Sequence, residues 1–257
     1  MQLLFIHGWG MNSTIWDSTI QALKGHAVKS LDCKTIDLGF VKGGGTSPFD
    51  QTQPTIVITH SLGTSWFLKN YQTEMFEKLN LKAFIAVNGF TNFASFTAEE
   101  TLNKMKEGVL ANPATQMALF WRRAGCKNFT SADNLNPEKL HEGLEWLATW
   151  DASEEAASLN CPKLILASKA DKIVPASAIE EQWYSAVAGG GQPKAPSKNA
   201  VAAPVAGGQP KAYLGSGQPK AQLNNQKISW HETAPHCLQL AEPEWVAEKI
   251  IEQVQAL

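Results

Sequence analysis

The chain has 257 residues, of which 44% are hydrophobic and 18% charged, and nine are tryptophans. This supply of apolar and aromatic side chains fills a sizeable core, so the composition excludes an intrinsically disordered protein. The formal net charge of −2 excludes the basic surface that nucleic-acid-binding domains present.

From the first strand to the last helix, short β-rich runs alternate with stretches of helical periodicity. Strands are predicted at 3–6, 28–31, 35–38, 55–59, 82–88, 163–168 and 227–231, and helices at 13–23, 62–71, 176–184 and 242–255. Strands that are apolar on both faces belong in a parallel sheet covered by helices. We therefore predict an α/β fold with a mostly parallel central sheet flanked by helices.

About seventy residues without a strand signal separate the predicted strands 82–88 and 163–168. Three helical stretches occupy this connection, at 98–110, 113–124 and 137–149. Within one sheet, so long a connection is more typical of a functional lid than of a plain crossover. We therefore predict a core formed by residues 1–90 and 161–257, with a helical cap inserted at 91–160.

Residues 189–221 differ in composition from the rest of the chain, because they contain four lysines and no acidic residue. The string Gly-Gln-Pro-Lys-Ala starts at Gly191, Gly208 and Gly217, in a background of Ala, Gly and Pro. Such a segment cannot bury enough apolar surface to offset its conformational entropy. We expect a low-complexity, disordered loop inserted into a core that is more acidic than the chain average.

The sharpest motif is Thr-His-Ser-Leu-Gly at 59–63, between a predicted strand and a predicted helix. A strand that ends in a sharp turn exposes a serine Oγ above the sheet edge, where the next helix's N-terminus favours negative charge. The motif resembles the nucleophile elbow G-x-S-x-G, with Thr59 at the first glycine position. An ordinary helix N-cap serine is the alternative; the strand-turn-helix context favours Ser61 as a nucleophile.

A serine nucleophile needs a base, and the base needs an orienting acid. In this arrangement the acid follows a later strand and the histidine follows the next one. Asp171 and His236 occupy those two places, so we predict Ser61, Asp171 and His236 as the catalytic residues. His231 is a weaker candidate base, because it lies at the end of a strand. The other candidates lie in loops, in the cap or after an early strand: His26, His141, Asp37, Asp133 and Asp151.

Two backbone N–H groups should stabilise the oxyanion that forms during acyl transfer. One is expected on Leu62, directly after the nucleophile. The other is expected in a loop after an early strand, and the glycines in His-Gly-Trp-Gly at 7–10 allow such a loop to turn a donor inward. Trp9 is therefore the second candidate, with an ordinary glycine-rich turn as the alternative.

The four cysteines lie far apart and form no CxxC pair, which disfavours a zinc site or a disulfide framework. A reducing, cytoplasmic location fits this pattern, and the apolar start at 3–6 is too short for a signal peptide. No apolar run approaches the roughly 20 residues of a membrane-spanning helix. We expect a monomer that needs no cofactor or metal and acts on a small-molecule or carrier-bound ester, not on nucleic acid or a membrane.

With these motifs the chain resembles the α/β-hydrolase superfamily and, within it, the pimeloyl–acyl-carrier-protein methyl ester esterases of biotin synthesis (the BioH type). The likeness rests on residues 7–12 with Trp16, on Ser-Leu-Gly at 61–63, and on the stretch 144–175. It covers nearly the whole chain apart from 189–221. Where that family has Gly, Trp and Gly, this chain has the three departures Thr59, His60 and Thr64.

The resemblance implies a Ser61–His236–Asp171 triad, with Trp9 and Leu62 as oxyanion donors. It implies a serine carboxylesterase that hydrolyses the methyl ester of pimeloyl–acyl-carrier protein through an acyl-enzyme. That family recruits its acidic carrier through cap arginines, which here would be Arg122 and Arg123; a solvated cationic helix face is an equally good interpretation of these two residues.

Triad and oxyanion motifs are common to the whole superfamily, so they indicate a mechanism better than a substrate. A general hydrolase of small soluble esters, thioesters or C–C bonded diketones therefore remains an alternative, as does an inactive hydrolase-like binding protein. An epoxide or haloalkane hydrolase with an aspartate nucleophile is disfavoured, because Ser61 occupies that position.

Deletion of residues 189–221 should leave ester hydrolysis and the melting temperature nearly unchanged, because closing a loop costs an entropy that grows only logarithmically with its length. Thermal unfolding and steady-state kinetics of the shortened chain check this. A large loss of either quantity would show that the segment is structural.

Overall fold

The computed structural model describes residues 1–25, 31–126, 129–184 and 226–257. Within these residues six strands form one sheet: β1 (Gln2–Ile6), β2 (Asp32–Ile36), β3 (Thr55–His60), β4 (Leu81–Val87), β5 (Lys163–Ser168) and β6 (Gln226–His231). Their order is β2-β1-β3-β4-β5-β6, and every neighbouring pair is parallel. The predicted α/β fold with a parallel central sheet is confirmed.

The helices of the described residues alternate with these strands or follow them. They are α1 (Asp17–Lys24), α2 (Leu62–Asn70), α3 (Glu99–Ala111), α4 (Pro113–Ala124), α5 (Pro137–Thr149), α6 (Ser153–Ser158), α7 (Ala176–Tyr184), α8 (Leu238–Ala241) and α9 (Pro243–Gln255). Short 3₁₀ helices occupy Ser13–Trp16 and Ala132–Asn134. A proline opens α4, α5 and α9. The N–H groups of a helix's first turn have no intrahelical acceptor, so proline, which lacks an N–H, loses no hydrogen bond there.

The centre of the sheet is buried on both faces. All residues of β1 and β3 are buried, as are the last five of β4, because helices cover both sides of a parallel sheet. The Phe84 ring of β4 stacks on the Phe67 ring of α2, with centroids 5.5 Å apart. This packing fixes α2, and hence its N-terminus, against the sheet.

The edge of the sheet differs from the sequence prediction. Two short strands were predicted there, at 28–31 and 35–38, but the structure has one strand, β2, at Asp32–Ile36. Residues 26–30 lie outside the described residues. β2 pairs with β1 in the register Gln2↔Asp32 to Ile6↔Ile36. The predicted loop 189–221 and His26 also lie outside the described residues.

Four helices, α3 to α6, connect β4 to β5. The bounds of α4 and α5 coincide with the predicted stretches, whereas α6 is too short to produce a clear periodicity. Two tryptophans join these helices to the loop after β1: Trp121 Nε1 donates to the Gly10 carbonyl at 2.8 Å, and Trp9 Nε1 donates to the Leu140 carbonyl at 2.8 Å. The division into core and cap stays a prediction.

None of the helices in the described ranges has the length and apolar character that crossing a membrane requires.

Candidate active site

The turn between β3 and α2 has the backbone geometry of a nucleophile elbow. Ser61 has φ 52° and ψ −125°, a conformation that costs a non-glycine residue about 1–3 kcal/mol. The Ser61 N–H donates to the Val87 carbonyl at 3.1 Å, which attaches the turn to the neighbouring strand. Ser61 stands at the carboxyl end of the sheet and is 6% exposed.

Two glycines allow the loop after β1 to touch this turn. A Cβ on Gly63 would lie 2.5 Å from the His7 carbonyl oxygen, and a Cβ on Gly8 would lie 2.8 Å from the Ser61 Cβ. The first of these obstacles is backbone and cannot rotate away. Only glycine fits at either position, because backbone meets backbone or an immobile Cβ there.

The three residues predicted as a triad lie within hydrogen-bonding distance of one another. The Ser61 hydroxyl donates to His236 Nε2 at 2.9 Å, and His236 Nδ1 donates to Asp171 Oδ2 at 2.7 Å. The His236 side chain is fully buried, and that of Asp171 is 1% exposed. This arrangement leaves the Nε2 lone pair of a neutral imidazole aimed at the serine hydroxyl.

Backbone donors hold the carboxylate of Asp171. Its Oδ1 accepts the N–H of Ile173 at 2.7 Å and that of Val174 at 3.0 Å, while Oδ2 accepts from His236. The acid is therefore oriented by the turn after β5 and can stabilise an imidazolium.

Of the two predicted oxyanion donors, Leu62 directly follows Ser61 in the chain, and Trp9 directly follows Gly8, which lies against the Ser61 turn. Leu62 opens α2, where helix geometry leaves its N–H without an intrahelical acceptor. Among the described residues, neither the Leu62 nor the Trp9 N–H has a hydrogen-bond acceptor. Both are thus available to a ligand oxygen, and the positive end of α2 favours negative charge there.

His7 holds the loop that carries Trp9. Its Nε2 accepts the Leu38 N–H at 2.8 Å, so its Nδ1 carries the proton and donates to the Gly8 carbonyl at 2.9 Å. The ring is fully buried. From the sequence this histidine was only part of a glycine-rich motif; the structure makes it the anchor of the loop.

Two of the three departures from the family pattern contact each other. The Thr64 hydroxyl donates to Thr59 Oγ1 at 2.8 Å, and Thr59 Oγ1 donates to the Ile85 carbonyl at 3.3 Å. Both side chains are fully buried. Thr59 therefore fits the crowded turn because Thr64, five residues later in α2, forms a hydrogen bond with its hydroxyl.

The third departure, His60, packs against the candidate base. The two ring centroids are 4.8 Å apart, and His60 Nε2 donates to the His236 carbonyl at 3.2 Å. Burial, followed by the nearby His236, holds the pKa of His60 well below its usual range, so this ring stays neutral. From the sequence, His60 was only a departure from the family's Trp, and its contact with His236 was not predicted.

Two of the other candidate residues, His231 and Asp37, have structural partners. His231 Nδ1 accepts the Ala234 N–H at 3.0 Å and so shapes the loop before His236. The Asp37 carboxylate accepts the backbone N–H groups of Ser13 and Gly39, each at 2.8 Å. Neither residue touches Ser61.

Arg122 and Arg123 lie in the last turn of α4 and are exposed. Arg123 Nε donates to the carbonyl of Lys172, next to Asp171, at 2.9 Å. The structure thus gives Arg123 a contact with the acid loop. It assigns neither arginine to a carrier protein.

A cleft of about 240 Å³ lies between α3, α4 and the loop after Asp171, and its described lining residues do not include Ser61, His236 or Asp171. Its apolar lining includes Phe93, Met105, Leu119, Phe120 and Ile173, and of the described lining residues Arg123 is the charged one. Two of its lining residues contact residues of the candidate site. Phe120 packs edge-on against Trp9 with ring centroids 4.7 Å apart, and Ile173 donates its N–H to Asp171.

Cys126, after α4, and Cys237, after His236, bring their sulfurs to 3.0 Å although they are far apart in sequence. Both are free thiols. In the part of the chain that the structure describes, no group of three His, Cys, Asp or Glu side chains could hold a metal ion.

No family model matches the sequence, and no curated protein is similar enough to count as a match. Among solved structures, the chain is similar to an esterase from Exiguobacterium antarcticum at 11% identity and a TM-score of 0.71, over 99% of this chain and 92% of that one. It is similar to a bromoperoxidase from Bacillus anthracis at 13% identity and a TM-score of 0.68, over 99% and 91%. An esterase from Thermogutta terrifontis gives 14% identity and a TM-score of 0.67, over 100% and 90%.

These likenesses show that the chain has the α/β-hydrolase fold. At such low identity they show the fold alone, and this fold hosts different reactions, as an esterase and a bromoperoxidase among the neighbours illustrate. The reaction has to be argued from the side chains of the site.

Because Thr59 and Thr64 share a hydrogen bond, substitutions of the two residues should have non-additive effects on the free energy of unfolding. Thr59→Val and Thr64→Val should each lower the free energy of unfolding by about 1–2 kcal/mol, and the double variant by about 1 kcal/mol less than their sum, because the second change removes a group that is already unpaired. Urea unfolding of the four proteins measures this. Thr19→Val, which breaks a hydrogen bond to the Gln239 carbonyl, is the control, because Thr19 does not contact Thr59 and the two substitutions should be additive. If Thr59→Val were as non-additive with Thr19→Val as with Thr64→Val, the prediction would be wrong.

Proposed function

We propose that this protein is a serine hydrolase that cleaves carboxylic esters through an acyl-enzyme. One observation carries the proposal: Ser61, in a strained elbow, is hydrogen-bonded at 2.9 Å to His236, which is hydrogen-bonded at 2.7 Å to a buried Asp171. A serine hydroxyl at its ordinary pKa is a poor nucleophile and becomes reactive only with such a base.

In the proposed reaction Ser61 Oγ attacks the ester carbonyl carbon while His236 Nε2 takes the hydroxyl proton. Asp171 stabilises the imidazolium, and the N–H groups of Trp9 and Leu62 receive the oxyanion. The alcohol leaves with the proton from His236. Water then attacks the acyl-enzyme, with His236 as general base, and releases the acid and free Ser61.

The hypothesis of an inactive binding protein is less favoured. Holding Ser61 at a positive φ has an energetic cost, and an unused site would have no reason to keep that strain together with two unpaired backbone donors. The apolar cleft lined by Phe120 and Ile173 adds a place for an apolar acyl group. Small esters and thioesters with such a group form the broader substrate class.

Ser61→Ala should lower the hydrolysis of p-nitrophenyl esters by about 10⁴-fold or more, because it removes the nucleophile, and should abolish covalent labelling by a fluorophosphonate. Steady-state kinetics and mass spectrometry of the labelled protein measure both effects. Ser131→Ala, an exposed serine, is the matched control. An unchanged rate in Ser61→Ala would refute the assignment.

For the finer specificity, we propose the methyl ester of pimeloyl–acyl-carrier protein in biotin biosynthesis as the substrate. Three features support it: the sequence resemblance, the apolar cleft that could take a medium-length acyl chain, and the cationic end of α4 at the cleft. Arg122 is the better candidate for contact with an acidic carrier, because Arg123 is already engaged with the Lys172 carbonyl. Hydrolysis of small soluble esters is the alternative.

Expression of this chain in a biotin auxotroph that lacks its methyl ester esterase should restore growth, and Arg122→Glu should weaken growth without changing p-nitrophenyl acetate hydrolysis, because only the carrier-bound substrate needs the cationic surface. Lys24→Glu, the same charge change at an exposed position in the last turn of α1, is the matched control. Failure of the wild-type chain to restore growth, with ester hydrolysis intact, would favour the small-ester alternative.

A further inference from the structure

Asn88 is a buried polar residue that sequence analysis did not single out. It follows β4 directly, has φ 43° and is 1% exposed. A positive φ is rare outside glycine, and asparagine tolerates it better than most residues. Burial of a polar residue in this conformation indicates that its side chain has a specific structural role.

The side chain of Asn88 bridges two segments of the site. Its Nδ2 donates to the His236 carbonyl at 2.8 Å, and its Oδ1 accepts the Ser168 N–H at 2.9 Å. Its own N–H donates to the Leu166 carbonyl at 2.7 Å. Asn88 is therefore attached to β5 at two points, and its side-chain NH2 group holds the His236 carbonyl, with a longer contact of 3.5 Å to the Pro235 carbonyl.

His236 depends on such support, because it lies in the loop between β6 and α8 and not in a regular element. Its ring has to meet Ser61 on one side and Asp171 on the other, at 2.9 and 2.7 Å. A second donor, the neutral ring of His60, reaches the same carbonyl at 3.2 Å. Two buried donors thus fix the backbone of one loop residue.

We propose that Asn88 is a positioning residue, which fixes the His236 backbone so that the imidazole bridges Ser61 and Asp171, with His60 as the weaker second support. It touches neither the ester nor the reacting atoms. The proposal rests on the function proposed above, insofar as His236 is the base. A misplacement of the base by about 1 Å can cost about 100-fold in rate.

Two substitutions separate this role from the simpler one of satisfying the Ser168 N–H. Asn88→Asp keeps the volume and the acceptor for Ser168, but a carboxylate cannot donate to the His236 carbonyl. Asn88→Gly accepts the positive φ and removes both bonds. Asn92→Gly, four residues later, removes an amide that binds Asp151 and is the matched control.

The second-order rate of labelling by a fluorophosphonate probe reports the activation of Ser61 without any assumption about the substrate. We expect about a 10- to 100-fold lower rate for Asn88→Asp and for Asn88→Gly, a wild-type rate for Asn92→Gly, and a fall in kcat with little change in KM for p-nitrophenyl acetate. The downfield proton resonance of His236 Nδ1–H should broaden in both Asn88 variants. His60→Phe should lower the labelling rate less.

A labelling rate for folded Asn88→Asp within about twofold of wild type would overturn the proposal, because the donor to His236 would then be dispensable. If one Asn88 variant does not fold, the other decides by the same rate. A wild-type protein that does not label at all would instead refute the proposed function; the His236 proton resonance would still test whether Asn88 positions the ring.

Discussion

The site depends on one close contact, between the backbone of the loop after β1 and the turn after β3. Gly63 leaves no room for a side chain beside the His7 carbonyl, and Gly8 leaves none beside Ser61. Because the two segments touch without intervening side chains, a backbone N–H from the loop after β1 can stand next to Ser61. Any bulk at these positions would separate that loop from Ser61.

The parallel sheet explains why distant residues meet at this contact. The carboxyl ends of parallel strands lie along one edge, and ligand sites form there. Ser61 follows β3, Asp171 follows β5, and His236 follows β6. Since each comes from a different strand end, the relative placement of the strands sets the distances of the triad, and the loops need only small adjustments such as the Asn88 bridge.

Much of this could be predicted from local patterns. The apolar runs of β1, β3 and β5 and the helix-start prolines of α4 and α5 mark their elements, because burial and capping act over a few residues. The candidate triad follows from chain order. By contrast, β2 lies at an edge with mixed polarity, so its bounds were misplaced, and the partners of Thr59, His60 and Asn88 lie on other strands or loops.

The sequence by itself determined the class of fold, the elbow around Ser61 and the order in which Asp171 and His236 follow it, since these depend on periodicity, turn chemistry and chain order. Only the tertiary structure decided that Thr59 and Thr64 satisfy each other and that His60 and Asn88 hold the His236 carbonyl. Hydrogen bonds between residues far apart in the chain depend on how strands pair and pack, and no local pattern records that pairing.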